Sequence, residues 1–277
     1  MPEGPEIRRA ADKIAKAIVH QPLTDIFFAF DHLKGYESLL QPQTIAAVEP
    51  YGKALLIQFN GGLSIYTHNQ LYGVWMVRRL QNDLPNYPET KRQLRLAIHT
   101  AKSSALLYSA SEIEVLWPEE VAAHPFLSKL GPDVVNPQTS EAEVLAQVKG
   151  DRFHRRRLAG LLLDQHFLAG LGNYLRSEVA FFARVYPNWR PMDCSEAQLE
   201  ALGKGAIALA RQSYQTGGIT NDLAIAAALK AQGWTRRNYR HWVFGRAGQS
   251  CHVCGTTIEK VILAGRRAYF CPCCQPV

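Results

Sequence analysis

The 277-residue chain has no uninterrupted apolar run that approaches the length of a membrane span. Acids stand at Glu3 and Glu6 with no apolar segment behind them, which excludes a secretory signal and makes the cytoplasm the expected location. No cysteine precedes Cys194, and Cys251, Cys254, Cys271, Cys273 and Cys274 crowd the last 27 residues. That distribution excludes a disulfide framework and fits a local metal site in a reducing compartment. No internal repeat or low-complexity tract is visible. Acids are also in deficit: 24 Asp and Glu face 31 Lys and Arg, for a net charge of +7. The balance favours an anionic partner, of which nucleic acid is the commonest. A hydrophobic share of 47% and a charged share of 20% are ordinary for a globular protein, and the length allows two or three domains.

What is present changes texture along the chain. Ile7, Ala10, Ala11, Ile14, Ala17 and Ile18 recur at helical spacing, with Pro5 in the first turn, where its missing N–H costs nothing. Short runs rich in Ile, Val, Tyr and Phe follow at 23–30, 44–59, 63–67, 73–79, 93–100, 105–109 and 112–116. Their alternation predicts an antiparallel β-sandwich or barrel. After the Pro/Asn/Ser-rich 131–140 the period becomes helical, at 141–148, 157–166, 174–183, 195–213 and 223–232. From Trp242 the chain turns Cys-rich. The expected organisation is multidomain α+β: a β-sandwich with an N-terminal helix over 1–131, a linker over 132–150, a helical domain over 151–241 and a zinc module over 242–277.

Five stretches carry chemistry. "MPEGPE" opens the chain, and Met before a small residue is usually removed, which leaves Pro2 with a free secondary amine. An α-amino group has a pKa of about 7.7–8.0, so a sizeable fraction is neutral and nucleophilic near pH 7. Glu3 beside it can give or take a proton. The same stretch is also an ordinary helix start. Cys251-x2-Cys254 and Cys271-x2-Cys274 have the spacing of a tetrahedral zinc site on two turns joined by a β-hairpin, although Cys273 can in principle replace Cys274. Arg266 and Arg267 start the second arm of that hairpin, where they can grip phosphate or simply be solvated. "LAGLGNYLRSE" interrupts two apolar helices with Gly170 and Gly172 and puts Asn173 at the expected N-cap, a phosphate-favouring geometry or an ordinary helical hairpin. In "PYGKALL", Lys53 enters a strand behind Gly52. In "HNQLYGVW", Gln70, Leu71 and Tyr72 fall at an expected hairpin turn, as an apolar wedge for a base stack or as residues folded back on the sandwich.

Together and in this order, these residues resemble the formamidopyrimidine-DNA glycosylase/endonuclease VIII family of base-excision repair, from Pro2 to Gln275. The resemblance rests on "PEGPE", "GKALL", "HPFLSKLGPDV", "LLLDQHFLAGLGNYLRSE" and "CPCCQ". "RRAADKIAKAI", "HNQLYGVW" and "LLYSAS" point to its bacterial endonuclease VIII branch. The resemblance implies a helix–two-turn–helix domain, a four-cysteine zinc β-hairpin holding one structural Zn2+, and a monomer that acts on damaged double-stranded DNA in the bacterial nucleoid. It implies a bifunctional glycosylase and abasic-site lyase that removes oxidised pyrimidines through a Pro Schiff base and cleaves by β,δ-elimination. Pro2 would be the nucleophile, Glu3 the general acid, Lys53 and Arg266 further catalytic groups, and Glu6 an additional acid near them. Gln70, Leu71, Tyr72, Lys129 and Asn173 would contact DNA, and Cys251, Cys254, Cys271 and Cys274 would hold the zinc. Two departures stand out. Lys129 replaces a frequent Arg and loses its bidentate fork. Residues 215–251 are longer than and unlike the endonuclease VIII pattern, and "GGIT" is reminiscent of the formamidopyrimidine branch, which keeps oxidised purines as an alternative substrate. A non-catalytic zinc DNA-binding protein, the remaining alternative, needs neither Pro2 nor Glu3.

Overall fold

The computed structural model describes residues 2–82 and 84–277. Met1, on whose removal the Pro2 assignment depends, lies outside the described residues. The chain falls into two compact units, Met1–Lys129 and Leu130–Val277.

The first unit starts with helix α1 (Gly4–Ile18) and eight strands: β1 (Leu23–Phe28), β2 (Ile45–Tyr51), β3 (Ala54–Phe59), β4 (Ser64–His68), β5 (Val74–Arg79), β6 (Leu94–Thr100), β7 (Ser103–Tyr108) and β8 (Glu112–Leu116). They form two four-stranded antiparallel sheets, β1-β6-β7-β5 and β2-β3-β4-β8. Ile7, Ala11, Ile14 and Ile18 bury one face of α1 in the core shared with Phe28, Ile98 and Leu107 of one sheet and Ile57 and Ile65 of the other. Each fully buried aliphatic chain contributes about 1.5–3 kcal/mol, so α1 is held by the core rather than by its own propensity. Short helices α2 (Glu37–Leu40) and α3 (Pro118–Ala123) complete the unit.

The run at 44–59 is two strands. Tyr51 pairs with Ala54 across a two-residue turn in which Gly52 has φ +60, the conformation a Gly-X hairpin demands. The turn expected at Gln70–Tyr72 is not a hairpin: β4 and β5 belong to different sheets, so these residues cross between them.

The second unit contains α4 (Glu141–Lys149), α5 (Leu158–Leu161), α6 (Asn173–Phe182), α7 (Glu196–Thr216), α8 (Leu223–Ala231) and α9 (Arg236–Tyr239), then the hairpin β9 (Glu259–Leu263) and β10 (Arg266–Phe270). Val144 and Val148 of α4, Leu161, Leu175 and Val179 of α5 and α6, and Ala206 and Ala210 of α7 share one core. The helix expected at 157–166 stops at Leu161. Asp164 takes the chain into turns instead, its carboxylate accepting from the His166 N–H at 2.9 Å and from Arg156 Nη1 at 2.7 Å. No helix of the described residues is long and apolar enough to cross a membrane.

Candidate active site and nucleic-acid interface

Helix α1 begins at Gly4 because Glu3, in extended backbone, occupies its N-cap and Pro5 its first turn. The Glu3 N–H donates to Glu6 Oε2 at 3.0 Å, and Glu6 Oε1 accepts from Arg9 Nη2 at 2.7 Å. Glu3 is only 3% exposed. Pro2 is half-buried and lines a pocket of about 370 Å³ together with Glu6, Arg9, Leu71, Tyr72 and Arg92. The helix start thus faces the crossing between the two sheets, an apposition of residues about 70 positions apart that no local pattern foretells.

That crossing is tightly wound. The Gly73 N–H donates to the Asn69 carbonyl at 2.7 Å, Gln70 is left-handed at φ +48, and Arg92 Nη1 donates to the Tyr72 carbonyl at 2.6 Å. A side chain at Gly73 would place its Cβ 2.6 Å from the Asn69 carbonyl oxygen, so only glycine closes the turn. Leu71 is 53% and Tyr72 68% exposed, so these chains do not fold back on the sandwich. Gln70 behaves differently. Its amide donates to Glu112 Oε2 at 2.8 Å and accepts from Ser111 Oγ at 2.7 Å. Glu112 also accepts from Tyr66 OH at 3.1 Å and lies 3.4 Å from His68 Nδ1. His68 stands across from Ala54, beside Lys53. Burial first, and the Lys53 charge among the lesser causes, push the His68 pKa down, against the pull of Glu112. Glu112 therefore ties the crossing to the Lys53 turn. Sequence reasoning missed it, because its partners lie at distant positions on other strands. Lys129 is exposed at the end of a short turn of 3-10 helix, Leu127–Lys129.

In the second unit Gly170, at φ +91, donates its N–H to Gln165 Oε1 at 3.0 Å, and Gln165 Nε2 donates to the Leu171 carbonyl at 2.9 Å. This side chain laces the glycine turn that precedes α6. Asn173 is not the N-cap expected from the sequence. Gly172 holds that position, and Asn173 Nδ2 donates to the Arg267 carbonyl at 3.0 Å. Asn173 is therefore fixed to the hairpin. Arg176, fully buried, does the same with its guanidinium: it donates to the carbonyls of Ala159 at 2.9 Å, Leu263 at 3.1 Å and Arg267 at 2.9 Å, and to Asn173 Oδ1 at 2.9 Å. One side chain thus fastens both ends of the β9–β10 turn and leaves Arg266 and Arg267 exposed at its edge. Glu178 is also fully buried, and accepts from Thr220 Oγ1 at 2.5 Å and from the N–H groups of Trp242, Val243 and Phe244 at 2.8, 2.9 and 2.9 Å. Burial pushes its pKa up while these donors favour the anion. Both residues lie in the "YLRSE" of the motif, but hydrophobic periodicity gives no signal that an Arg and a Glu are buried there.

The thiols of Cys251, Cys254, Cys271 and Cys274 lie within 4.8 Å of one another. Four thiolates about 2.3 Å from a common tetrahedral centre are separated by about 3.8 Å, and the Cys254–Cys271 and Cys254–Cys274 distances are 3.4 and 3.5 Å. The donor set fits one structural Zn2+. Cys273 is exposed and outside this group, so the register left open by the sequence falls to Cys274.

Residues 1–111 match the family described as the formamidopyrimidine-DNA glycosylase N-terminal domain, and residues 248–277 match the zinc finger found in FPG and IleRS. The chain is 47% identical over 275 residues to Endonuclease 8 of Escherichia coli O17:K52:H18, covering 99% of this chain and 100% of that protein. It is 46% identical over the same coverage to Endonuclease 8 of Salmonella enteritidis. Among solved structures, Lactococcus lactis Fpg bound to DNA containing N7-benzyl-Fapy-dG superposes with a TM-score of 0.80 at 22% identity, covering 100% of both chains. The same enzyme bound to DNA with an oxidised pyrimidine gives 0.80 at 21%. The fold, the four-cysteine site and the full-length identity agree: the chain belongs to the formamidopyrimidine-DNA glycosylase/endonuclease VIII family of DNA glycosylases and abasic-site lyases.

Proposed function

We propose that the chain excises oxidised pyrimidines from duplex DNA and cleaves the strand at the resulting abasic site, with Pro2 as nucleophile. The observation that carries this reading is the pocket that Pro2 shares with Glu6 and with the exposed Leu71 and Tyr72. A base is processed only after leaving the stack, at a cost of a few kcal/mol. An apolar wedge that fills the gap offsets that cost. In this reading Leu71 and Tyr72 are the wedge, and the everted nucleotide presents its sugar to the Pro2 amine.

The chemistry follows from a secondary amine beside a buried acid. The neutral amine nitrogen of Pro2, exposed by removal of Met1, attacks the anomeric carbon as the bond from that carbon to the base breaks. The base leaves with the bonding electron pair and takes up a proton, and the new ammonium nitrogen gives up its own proton and regains its lone pair. Glu3 delivers a proton to the ring oxygen, the sugar opens, and the nitrogen lone pair forms an iminium. The iminium acidifies the adjacent C–H, whose loss expels the 3′ phosphate; a second elimination expels the 5′ phosphate. Lys53, whose charge acts on the neighbouring His68, moves protons in these steps, and Arg266 and Asn173 hold the flanking phosphates. The sandwich (1–131) would be the catalytic part, joined through 132–150 to the DNA-binding helical part (151–241) and the zinc module (242–277). Bound zinc supplies no chemistry of the reaction; it fixes the hairpin that presents Arg266. The partner is damaged duplex DNA in a bacterial nucleoid, bound by a monomer through Lys129 and the residues above.

Borohydride trapping tests the nucleophile. The mature protein should form a covalent adduct with abasic duplex DNA through Pro2. A version with one residue kept in front of Pro2 has an amide in place of the amine and should form none. Equal trapping by both forms refutes the assignment.

A further inference from the structure

A second pocket, of about 450 Å³, lies in the second unit, in and beside the 215–251 segment. It is lined by Arg236, Arg237 and Arg240 of α9 and its C-cap, by His241, and by Phe244 and Tyr269. Among the described residues none of these three arginines has an ion-pair partner, whereas Arg156 and Arg190 in the same unit are matched by Asp164 and Asp193. Arg240 Nε is a buried donor with no hydrogen-bond partner. A buried cationic N–H left without an acceptor is unfavourable.

The arginines stand on a fixed platform. The Arg240 carbonyl accepts from the N–H groups of Thr220 and Asn221 at 2.8 and 3.1 Å, and Asn221 Nδ2 donates to the Tyr239 carbonyl at 2.9 Å. Thr220 and Asn221 are fully buried, and Thr220 is bonded in turn to Glu178. Arg236 Nη2 donates to the Gly217 carbonyl at 2.6 Å, where Gly217 ends α7 in the left-handed region at φ +71. Phe244 and Tyr269 meet edge to face at 5.1 Å and form a rigid wall. Burial, then the charges of Arg240, Arg236 and Arg246, push the His241 pKa down to about 3, so His241 stays neutral and the arginines supply the charge. Three arginines lining one pocket that has no carboxylate in its lining, beside an aromatic wall, match a phosphodiester.

We propose that Arg236, Arg237 and Arg240 form a subsite for a backbone phosphate of the DNA, beyond the phosphate ligands Asn173 and Arg266 of the proposed function. The proposal rests on the reading of the protein as a DNA glycosylase, and the test separates the two. The probe is a duplex with a stable abasic-site analogue, titrated from 50 to 300 mM salt. Replacing all three arginines with glutamine should weaken binding about tenfold at 100 mM salt. It should also lower the slope of log K against log [salt] by about 1 for each phosphate no longer neutralised. Lys204→Gln, exposed on α7, should leave the slope unchanged. Replacing the three with lysine should restore the slope but not the full affinity. Bound zinc and melting temperature report folding. If the triple variant loses its zinc, Arg237→Gln alone, an exposed residue, should still lower the slope. An unchanged slope in a folded variant, or an equal fall in Lys204→Gln, overturns the subsite. Covalent trapping at saturating abasic DNA reads the Pro2 chemistry separately: wild-type protein that binds with the full slope but never traps refutes that chemistry and leaves the subsite standing.

Discussion

A single buried imidazole shows how much of this protein is set by where a polar group ends up. His241 Nδ1 lies 2.7 Å from Thr220 Oγ1, which donates its own proton to Glu178. The network assigns the imidazole proton to Nδ1. The groups facing it are Glu178 and Tyr174 of α6, Arg236 and Arg240 at α9, and Arg246 beyond it. Burial and the three arginines outweigh Glu178 and hold the pKa near 3, against an ordinary value of 6.5. The unfolded chain then binds a proton below pH 6.5 that the folded chain refuses until about pH 3, so this group's contribution to stability falls as pH drops through that window. Between pH 6.5 and 5.5 the wild type should lose about 1 kcal/mol more than His241→Gln. Urea unfolding at the two pH values measures it, and parallel losses in both proteins would show that His241 is not held neutral. Glu178 contributes with the opposite sign, because its pKa is raised, and it is common to both proteins.

At the scale of elements, two turns decide how the side chains proposed to contact DNA are presented. The 69–73 crossing closes on Gly73, where an added Cβ would lie 2.6 and 2.7 Å from the oxygen and Cα of Asn69. Both are backbone atoms, so the turn itself must open. Gly73→Ala should destabilise the protein by about 1–3 kcal/mol and displace Leu71 and Tyr72. Single-turnover excision from duplex DNA should fall at least tenfold, with a smaller loss on a mispaired lesion that is already unstacked. Equal losses on the two substrates would point to general damage rather than to the wedge. The zinc hairpin is fixed from both sides, by four thiols and by Arg176. Cys274→Ser should lose the metal and weaken DNA binding, since the Arg266 edge loses its frame. Cys273→Ser, altering an exposed thiol outside the cluster, should keep one zinc per chain. Metal content by mass spectrometry distinguishes them, and the reverse result would move the register to Cys273.

Across the whole molecule, the α+β class, the antiparallel strands and the four-cysteine hairpin were legible in the sequence because each has a short-range signal: alternation, helical spacing, C-x2-C pairs. The strand entry at Lys53 was legible because Gly52 precedes it. Two of the misreadings arose where tertiary bonds overrode the local pattern. Asp164 and Gln165 bonded the backbone and ended a helix that periodicity would continue, and Gly172 took the cap expected of Asn173. Arg176, Glu178 and Glu112 act through partners on distant segments, which no spacing rule reports. The same limit bears on lesion choice. In the sequence, the "GGIT" of the Gly217–Gly218 loop kept oxidised purines as an alternative substrate. In the structure the loop is fastened: Gln212 Nε2 donates to the carbonyls of Ile219 and Asn221 at 3.2 and 2.8 Å, and the Ile219 N–H donates to Thr216 Oγ1 at 3.1 Å. In the proposed function, a loop of this segment that admits a larger base has to break such bonds, worth about 0.5–1.5 kcal/mol each. A ring-saturated pyrimidine is non-planar, stacks poorly and is easier to evert. Single-turnover excision of thymine glycol or dihydrouracil should therefore outpace that of an oxidised guanine opposite C by at least tenfold in otherwise identical duplexes. Gln212→Ala, which frees the loop, should narrow the gap by raising the purine rate. Faster excision of the oxidised guanine by the intact protein would reverse the substrate assignment while leaving the Pro2 chemistry in place.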